Sequence, residues 1–427
     1  MPTINWSSKS EKTPPEGGLI TESILYQNPE VKEIASVENR LILGDNLRVM
    51  SALLEEYEGK IDLIYTDPPF FTNKDYAARV GRGEDSRKPE EWQLAEGYPD
   101  EWDDLDSYLD MLYPRLRLMH RLLSPTGSLY LHLDWHANSY ARILLDEIFG
   151  YDNFRNEIIW TYHGPSPIRS AFNRKHDMIL FYTKSDQYVF NTDQVRIPYA
   201  SNTIDTFKSS KKAGFGKEPD LDRGKVPEDW WYFPVVARLH HERTGYPTQK
   251  PERLLERIIL ASSNPGDTVA DFFGGAGTTG ITAARLHRRF ILSDLQQRAI
   301  STTLSRLVLD NQKRAVNSPD HSEHLSTVHL QREKHVHGRL RKSLTDMGIP
   351  ALKYQNNQVA LPAEIISRVM YWEVDPDWQG DIFHSKFQAA RPWRKGDLSV
   401  SMILPKKRGT ICVRIILVNG DQLQEIL

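Results

Sequence analysis

Cysteine is nearly absent from this sequence of 427 residues, which contains one, Cys412. A single thiol excludes an internal disulfide, and it excludes any zinc site that is built from several cysteines. Cys412 lies in the apolar run ICVRIILV near the end of the chain. That setting predicts a small core residue on a β-strand, so we expect no chemistry from it.

Long apolar runs are absent as well. The sequence has no stretch of the roughly 18 apolar residues that span a bilayer, and the opening MPTINWSSKSEKTPPEGG lacks the basic and then apolar pattern of a signal peptide. Hydrophobic residues make up 39% of the chain and charged residues 26%. This balance indicates a globular protein of two or three domains at about 150 residues each, which we expect to be cytoplasmic and to have no membrane partner.

The chain has no large excess of either charge, because its net charge is -3. Locally the charges are uneven. Residues 81–110 contain 3 basic and 11 acidic side chains, whereas residues 165–250 contain 14 basic and 10 acidic side chains. Phosphate groups attract basic side chains, so only the second stretch is a candidate for contact with nucleic acid.

Short apolar runs alternate with amphipathic helical patterns from residue 41 to about residue 310. The runs LILG and IDLIYT predict strands, and the segment between them has Leu47, Met50, Leu53 and Leu54 at helical spacing. Alternation of this kind predicts an α/β fold, with a mostly parallel sheet and helices on both faces.

Four other segments interrupt or flank this alternation. We expect a polar N-terminal arm, an acidic insertion built as a loop with a helix, an irregular basic region, and a polar linker that leads to a small C-terminal α+β domain. These segments are, in the same order, residues 1–40, about 76–105, 164–247 and 316–427. The two halves of the alternating region are then residues 41–163 and 248–315.

The stretch TDPPF ends the apolar run IDLIY with an aspartate and two prolines. Neither proline has an amide hydrogen to donate, so the strand must stop there. Asp67, Pro68, Pro69 and Phe70 are thereby fixed at the carboxyl end of a strand, where open α/β sheets bind ligands. Taken alone, Asp-Pro-Pro can also be no more than a strand end.

A glycine-rich turn, DFFGGAGTTG, follows another predicted strand and opens a predicted helix. Gly275, Gly277 and Gly280 have the spacing GxGxxG, which allows a tight turn and close approach of a ligand to backbone amides. Asp294 lies 19 residues beyond Gly275, near the roughly 20 expected for an acid that binds ribose hydroxyls. The pattern fits a dinucleotide, S-adenosylmethionine, or a turn with only a structural role.

The side chains around this turn favour S-adenosylmethionine. Asp271 ends the strand, and Thr278 and Thr279 begin the helix. A carboxylate at this point repels a pyrophosphate, whereas it attracts the ammonium group of S-adenosylmethionine.

The tetrapeptide Asp67–Phe70 offers what the exocyclic amine of a nucleobase needs in order to react. Two acceptors, the Asp67 carboxylate and the Pro68 carbonyl, would take the two amine hydrogens and free the nitrogen lone pair. Phe70 would stack on the base, which is worth roughly 1–3 kcal/mol. A base inside a duplex cannot reach such a corner, so it would have to be flipped out.

These motifs together resemble the β class of amino-group DNA methyltransferases. The resemblance rests on TDPPF, on DFFGGAGTTG and on their order, and also on LILGDNLRVM, SLYLHLDWH and YPTQKPERLLERII. It covers residues 41 to about 310. It implies a circularly permuted Rossmann-like methyltransferase sheet, with a catalytic half at 41–163, an inserted target-recognition region at 164–247 and a cofactor-binding half at 248–315.

The resemblance also implies roles for individual residues. Asp67, Pro68, Pro69 and Phe70 handle the target base. The S-adenosylmethionine site, which leaves S-adenosylhomocysteine as product and needs no metal, is formed by Asp45, Thr248, Lys250, Asp271, Phe273, Gly275, Gly277, Thr278, Thr279 and Asp294. Aspartate at the first position of the tetrapeptide is similar to the adenine-N6 enzymes, whereas cytosine-N4 enzymes usually have serine there.

Double-stranded DNA is the substrate that the resemblance implies, as in restriction-modification systems. The expected DNA contacts in the recognition region are Lys208, Lys211, Lys212, Lys217, Arg223 and Lys225, with Trp230, Trp231 and Tyr232 as support or wedge. A second copy of the chain and a cognate restriction endonuclease are further partners that it allows. Cytosine-N4 transfer, a nonenzymatic recognition subunit, and methylation of RNA or of a protein glutamine stay open as alternatives.

Overall fold

The computed structural model describes residues 3–10, 15–26, 38–80, 93–164, 168–209, 219–237, 240–317, 327–336, 341–393, 397–405 and 409–427. The strands in these residues are β1 (Leu19–Tyr26), β2 (Glu38–Leu43), β3 (Ile61–Thr66), β4 (Lys74–Val80), β5 (Gln93–Asp100), β6 (Leu123–Leu133), β7 (Phe154–Thr161), β8 (His176–Thr183), β9 (Trp230–Tyr232), β10 (Thr268–Asp271), β11 (Arg289–Asp294), β12 (Thr327–Glu333), β13 (Lys353–Gln355), β14 (Gln358–Ala360), β15 (Val369–Asp375), β16 (Phe383–Ser385), β17 (Phe387–Ala390), β18 (Ser401–Ile403), β19 (Cys412–Leu417) and β20 (Gln422–Ile426). The helices are α1 (Asn46–Tyr57), α2 (Leu105–Leu122), α3 (Asn138–Phe149), α4 (Ser201–Ser209), α5 (Glu252–Ser262), α6 (Thr278–Arg285), α7 (Gln297–Asn317) and α8 (Ala363–Ile366).

One large sheet organises the chain, with the strand order β16-β1-β12-β2-β11-β10-β3-β6-β8-β7-β9. Its middle strands, from β12 through β6, run parallel, and β8 is antiparallel to both of its neighbours. Helices cover both faces of this sheet. The prediction of an α/β, Rossmann-like fold is confirmed.

Two apolar cores lie on opposite faces of the sheet. Buried side chains of α1, α2 and α3 form one core, and those of α5, α6 and α7 form the other. Helix α1 shows how the sequence produces this packing, because Val49, Met50 and Leu53 fall on one face and are fully buried. Burying a side chain of this size contributes roughly 1.5–3 kcal/mol.

The order in which the strands are added to the sheet reverses between β3 and β10, which are parallel and lie side by side at the centre of the sheet. From β3 the chain continues through α2 to β6 on one side, and from β10 it continues through α6 to β11 on the other side. A crevice therefore opens at the carboxyl ends of β3 and β10, as in other open α/β sheets. Asp67 and Asp271 lie at these two strand ends, so distant parts of the sequence meet at one site.

Three segments differ from the sequence prediction by adding strands to this sheet. The N-terminal arm contains β1 and the polar linker contains β12, which pair with each other and extend the sheet beyond β2. The irregular region 164–247 contains β8, which is buried between β6 and β7. Its apolar run DMILFYT is short and lies between loops, so its strand character depends on two neighbours that the local sequence does not reveal.

The acidic insertion also differs from its prediction. We expected a loop with a helix, whereas the described residues form the antiparallel hairpin of β4 and β5, and α2 begins only at Leu105. The tyrosines on the two strands explain the preference for a hairpin. Tyr76 and Tyr98 lie opposite each other and stack, with their ring centroids 5.1 Å apart.

The C-terminal part has its own apolar core and two antiparallel sheets, β13-β14-β18 and β17-β15-β19-β20. The short helix α8 accompanies them. Cys412 is fully buried on β19, as predicted, and burial raises the pKa of its thiol to about 12. Among the helices described, none has the length and apolar character needed to cross a membrane.

Candidate active site

Two adjoining cavities lie in the crevice at the carboxyl ends of β3 and β10. The first, here called the glycine-loop cavity, has a volume of about 250 Å³ and is lined by the turn after β10. The second, here called the aromatic cavity, has a volume of about 320 Å³, and Phe70, Trp160 and Tyr162 are among its lining residues. Both cavities are lined by Asp67, Tyr98, Thr248, Gln249 and Lys250. These shared residues form the wall through which the two spaces meet.

Most residues predicted for cofactor binding line the glycine-loop cavity. They are Asp45, Thr248, Lys250, Asp271, Phe273, Gly275, Thr278, Thr279 and Asp294, together with Asp67 and Pro69 of the tetrapeptide. Gly277 does not line the cavity. It shapes the turn instead, because its φ is +74° and a Cβ atom there would lie 2.4 Å from Thr303 Oγ1.

Asp271 and Asp294 are buried carboxyl groups on the wall of the glycine-loop cavity. Asp271 accepts hydrogen bonds from Thr279 Oγ1 at 2.6 Å and from the Phe273 amide at 3.0 Å. Burial, together with the nearby Asp67 carboxylate, raises the pKa of Asp271 to about 8. Burial likewise raises the pKa of Asp294 to about 6, although the amides of Gln296 and Gly275 donate to it.

Asp45 also lines the glycine-loop cavity. It caps α1 by accepting from the amides of Leu47 and Arg48, and its Oδ2 accepts from Arg115 Nη2 at 3.0 Å. The neighbouring Asn46 side chain donates to the carbonyl of Phe272 at 2.8 Å. The start of α1 is thereby tied to the strand end that carries Asp271.

The residues of this cavity fit S-adenosylmethionine better than they fit a dinucleotide. A pyrophosphate would face the carboxyl groups of Asp45, Asp271 and Asp294. The basic side chains that line the cavity, Arg115 and Lys250, are each bonded to an aspartate. A ligand ammonium would instead supply the positive charge that a buried carboxylate such as Asp271 requires.

Lys250 lines the glycine-loop cavity, where the resemblance implied it, and it also contacts the tetrapeptide. Its Nζ lies 2.5 Å from Asp67 Oδ2 and 5.2 Å from the ring centroid of Phe70. Both partners of the ion pair are largely buried, with side-chain exposures of 10% for Lys250 and 16% for Asp67. The structure thus joins the TQKP and DPPF motifs in one ion pair, across 183 residues of sequence.

The aromatic cavity is lined by Asp67, Pro68 and Phe70, which were predicted to handle the base, and by three acids to which the sequence assigned no role. These are Asp100, Asp134 and Asp177. Asp177 accepts from Tyr162 at 3.0 Å and lies 3.3 Å from Nε2 of His132, a fully buried histidine whose pKa is lowered by burial. The motif SLYLHLDWH pointed to this region, but it gave no role to its histidine or aspartate.

The predicted DNA contacts are only partly within the described residues. Lys208 is exposed at the end of α4, while Arg223 pairs with Asp193 at 2.8 Å and Lys225 pairs with Glu228. Lys211, Lys212 and Lys217 lie outside the described residues.

Aromatic side chains accompany these basic residues in the recognition region. Trp230 and Tyr232 are 60% and 50% exposed, whereas Trp231 is buried, and the Arg257 guanidinium lies 5.1 Å from its ring centroid. The two exposed rings are thus available for contact with a ligand.

Only one group of metal-ligating side chains is close enough to hold an ion within the part of the chain that the structure describes. It consists of the consecutive residues His240, His241 and Glu242, whose ligand atoms lie within 4.8 Å of one another. Glu242 already accepts a hydrogen bond from the amide of Glu252 at 2.8 Å. The prediction that no metal takes part therefore stays a prediction.

Comparison with known proteins agrees with this geometry. A family model described as DNA methylase, N6_N4_Mtase, matches residues 61–305. The chain is 31% identical to type II methyltransferase M.BglII of Bacillus subtilis over 266 residues, which are 61% of this chain and 66% of that enzyme. It is 30% identical to DNA adenine methyltransferase YhdJ of Escherichia coli over 273 residues, 62% of this chain and 82% of that enzyme.

A solved structure, the M1.HpyAVI complex with SAM, matches 63% of this chain and 98% of its own, with 21% identity and a TM-score of 0.41. The match of the family model over more than half of the chain decides the family. The chain belongs to the N6/N4 DNA methylase family and is a DNA methyltransferase that uses S-adenosylmethionine.

Proposed function

We propose that this enzyme methylates the N6 amine of a specific adenine in double-stranded DNA, after the base has been flipped out of the helix. The observation that carries this proposal is the wall between the two cavities. Asp67 lies in that wall, with the predicted cofactor residues on one side and Phe70 with other aromatic rings on the other. A methyl donor in the glycine-loop cavity and a base in the aromatic cavity would lie next to each other at Asp67.

Asp67 and Pro68 would orient the amine. In this mechanism Asp67 Oδ1 accepts one amine hydrogen and the Pro68 carbonyl accepts the other, which frees the nitrogen lone pair for attack. Lys250 bonds the other carboxylate oxygen and so limits rotation of the Asp67 side chain. Much of the rate enhancement would come from this positioning.

The aromatic cavity would hold the flipped base. Phe70 offers a stacking face beside Trp160 and Tyr162, and stacking on one ring returns roughly 1–3 kcal/mol. Flipping costs a few kcal/mol, so stacking on more than one ring would offset it. After methyl transfer, Asp67 Oδ1 would take the proton that leaves the nitrogen and pass it to water in this cavity.

The residues of the glycine-loop cavity would hold S-adenosylmethionine, whose bound sulfonium supplies an electrophilic methyl group. Asp271 would bind the ammonium of the methionine part, Asp294 the ribose hydroxyls, and Asp45 would lie near the adenine. Thr248, Phe273, Thr278 and Thr279 would complete the site. Gly275 and Gly277 would keep side chains out of the turn.

Adenine is preferred to cytosine for two reasons. Asp67 is the first residue of the tetrapeptide, which resembles the adenine-N6 enzymes, and one of the relatives is a DNA adenine methyltransferase by name. Cytosine-N4 transfer is the second candidate, because the same corner would serve that amine. A cytosine-C5 mechanism is disfavoured because it needs a thiolate, and Cys412 is a buried thiol with a raised pKa.

The proposal extends to partners and location. The region 164–247 would recognise the DNA sequence, with phosphate contacts from Lys208, Lys211, Lys212, Lys217, Arg223 and Lys225. A cognate restriction endonuclease and a second copy of the chain are the protein partners that we propose, and M.BglII, one of the similar proteins, is a type II methyltransferase by name. We expect the enzyme to act on DNA in the prokaryotic cytoplasm.

Nucleoside analysis tests the proposed reaction. Purified enzyme is incubated with methyl-labelled S-adenosylmethionine and mixed-sequence duplex DNA, and the DNA is then digested and analysed by mass spectrometry. We expect N6-methyladenine from the wild type and a loss of at least about 10²-fold in Asp67→Ala, with cofactor affinity retained. N4-methylcytosine would overturn the choice of base, and full activity of Asp67→Ala would overturn the catalytic corner.

A further inference from the structure

The acidic insertion ends in a buried carboxylate that contacts the loop directly after the DPP motif. Asp100, the last residue of β5, is 1% exposed. It accepts hydrogen bonds from the amides of Phe70, Phe71 and Thr72 at 3.1, 3.0 and 2.9 Å. Three consecutive N–H groups that converge in this way form a nest, which is a binding site for an anion.

Two side-chain donors complete the environment of this carboxylate. Thr72 Oγ1 donates to Oδ2 at 2.7 Å, and Trp102 Nε1 donates to Oδ1 at 2.8 Å. A carboxylate with five donors has a fixed orientation, because any rotation would break several charge-assisted hydrogen bonds at once. Asp100 is therefore a rigid anchor for the turn that it contacts.

The turn needs such an anchor because its backbone is strained. Phe71 has a φ of +66°, and Asn73 has a φ of +52°. Phenylalanine rarely adopts the left-handed region, and residues held there depend on their surroundings to keep them in place. This conformation is what turns the amides of residues 70–72 toward one point, so the carboxylate and the strained turn support each other.

The anchored turn carries Phe70, which lines the aromatic cavity with Asp100 itself. On the other side of the tetrapeptide, Tyr108 donates to the Pro69 carbonyl at 2.9 Å. The segment that contains Asp67 and Phe70 is thus held from α2 and from the hairpin. A shift of the turn would move the stacking ring relative to the carboxylate.

The same hairpin also reaches the wall between the cavities. Tyr98, two residues before Asp100, bonds Thr248 Oγ1 at 2.9 Å and lines both cavities. Tyr76, its partner on β4, lies 3.1 Å from Thr72 Oγ1. The insertion is therefore part of the site.

We propose that Asp100 is a positioning residue for methyl transfer, which acts by binding the amide nest of residues 70–72 and so fixes Phe70 beside Asp67. The effect that we expect on the rate of methyl transfer rests on the proposed function. A misplacement of about 1 Å costs roughly 10²-fold in rate. The acidic insertion thereby has a role that its charge alone did not indicate.

Asp100→Asn is the decisive variant, because it keeps the shape of the side chain but turns an amide group toward backbone donors. We expect kcat to fall by about 10²-fold, while the Kd for S-adenosylmethionine changes little. Asp75→Asn, at an exposed position on the same hairpin, should retain wild-type kinetics. Wild-type kcat in Asp100→Asn would overturn the proposal.

Chemical rescue tests the anion-binding role in a second way. In Asp100→Ala the nest would face a small space beside the aromatic cavity. Added formate should restore activity several-fold, whereas formamide of similar shape and chloride at equal ionic strength should not. Equal effects of formate and formamide would contradict the role of the charge.

Hydrogen exchange separates this proposal from the proposed function. In the wild type the amides of residues 70–72 should be protected, and in Asp100→Asn they should exchange at least about tenfold faster, in line with local opening of a loop that has lost its partner. Unchanged exchange would overturn the proposal even in an enzyme without activity. A wild type that transfers no methyl group would overturn only the function.

Discussion

The ammonium of Lys250 and the carboxylate of Asp67 form an ion pair at 2.5 Å, in the wall shared by the two cavities. Burial is the main cause of the raised pKa values of Asp271 and Asp294, and the Asp67 carboxylate raises both as well, so the three acids interact electrostatically. Lys250 is the cation that compensates for part of this negative charge. The lysine of the TQKP motif thus contacts the DPPF motif and also lines the glycine-loop cavity.

Loss of this cation should impair catalysis more than cofactor binding. In Lys250→Met the Asp67 carboxylate loses its partner and its fixed orientation, so we expect kcat to fall by about 10- to 100-fold. The Kd for S-adenosylmethionine should change much less. Steady-state kinetics and isothermal titration calorimetry measure the two effects, with Lys353→Met, at an exposed position in the C-terminal part, as control. A large loss of cofactor affinity with unchanged kcat would contradict this assignment.

Binding of S-adenosylmethionine should depend on pH through Asp271. The pKa of this carboxyl is raised to about 8 in the structure, and the ligand ammonium favours its ionised form. Affinity should therefore increase as pH rises from about 6 toward about 8, because less work is needed to remove the proton. Calorimetry across this pH range should show the increase in affinity in the wild type. In Asp271→Asn the affinity for S-adenosylmethionine should be lower and should change less with pH. Identical profiles would show that Asp271 does not bind the ammonium.

The same shift predicts an effect on stability without cofactor. A folded-state pKa above the unfolded value of 3.8 means that the fold binds the proton more tightly, so stability falls as pH rises from about 4 to about 8. Asp271→Asn should remove this loss, since its amide group can donate to Thr279 Oγ1. The variant should have a higher Tm than the wild type above about pH 8 and a similar Tm near pH 4.

Asp294→Asn is the matched control for this prediction. Both oxygens of Asp294 accept from backbone amides, those of Gly275 and Gln296. An asparagine would turn its amide group toward one of these donors, so we expect no gain in Tm. Thermal unfolding of both variants without cofactor measures the two Tm values. A higher Tm in Asp294→Asn but not in Asp271→Asn would contradict the role of the raised pKa of Asp271.

Glycines that have a positive φ should tolerate substitution only where a Cβ atom has space, as a comparison of Gly277 in the glycine turn with Gly266 outside it shows. In Gly277→Ala the new methyl group would meet Thr303 Oγ1 at 2.4 Å in a left-handed backbone, so we expect a loss of about 2–4 kcal/mol in the free energy of unfolding. Gly266→Ala has a φ of +89° but nothing within 4 Å, so it should lose only about 1 kcal/mol. Urea denaturation measures both values.

A double variant tests the cause of the loss. Thr303→Ala removes the two nearest atoms, so it should recover part of the stability of Gly277→Ala. Additive losses in the double variant would show that the contact with Thr303 is not responsible.

The sequence alone predicted those features of the site and the fold that depend on a pattern of adjacent residues. Asp67–Phe70 had to follow a strand because two prolines end it, and Gly275 had to lie in a turn before a helix. Both patterns are carried by adjacent residues. The parallel sheet could be predicted for the same reason, because its strands and helices have clear periodicities.

The remaining features depend on contacts between distant residues. Lys250 and Asp67 are separated by 183 residues, and Asp100 contacts Phe70 from a hairpin that was expected to be a loop with a helix. Strands β1 and β12 lie in segments that were predicted to be a polar arm and a polar linker, and they pair with each other across the sequence. No local pattern records these pairings, so the sequence alone left them out.

Sequencing of single DNA molecules from cells that express this chain tests the central claim most directly, since it reports the modified base and its sequence context together. Cells that express Asp67→Ala serve as the comparison. We predict N6-methyladenine in one recurrent motif with the wild type and none in that motif with the variant. The same marks in both cultures, or no marks from a wild type that binds S-adenosylmethionine, would contradict methyl transfer at the Asp67–Phe70 corner.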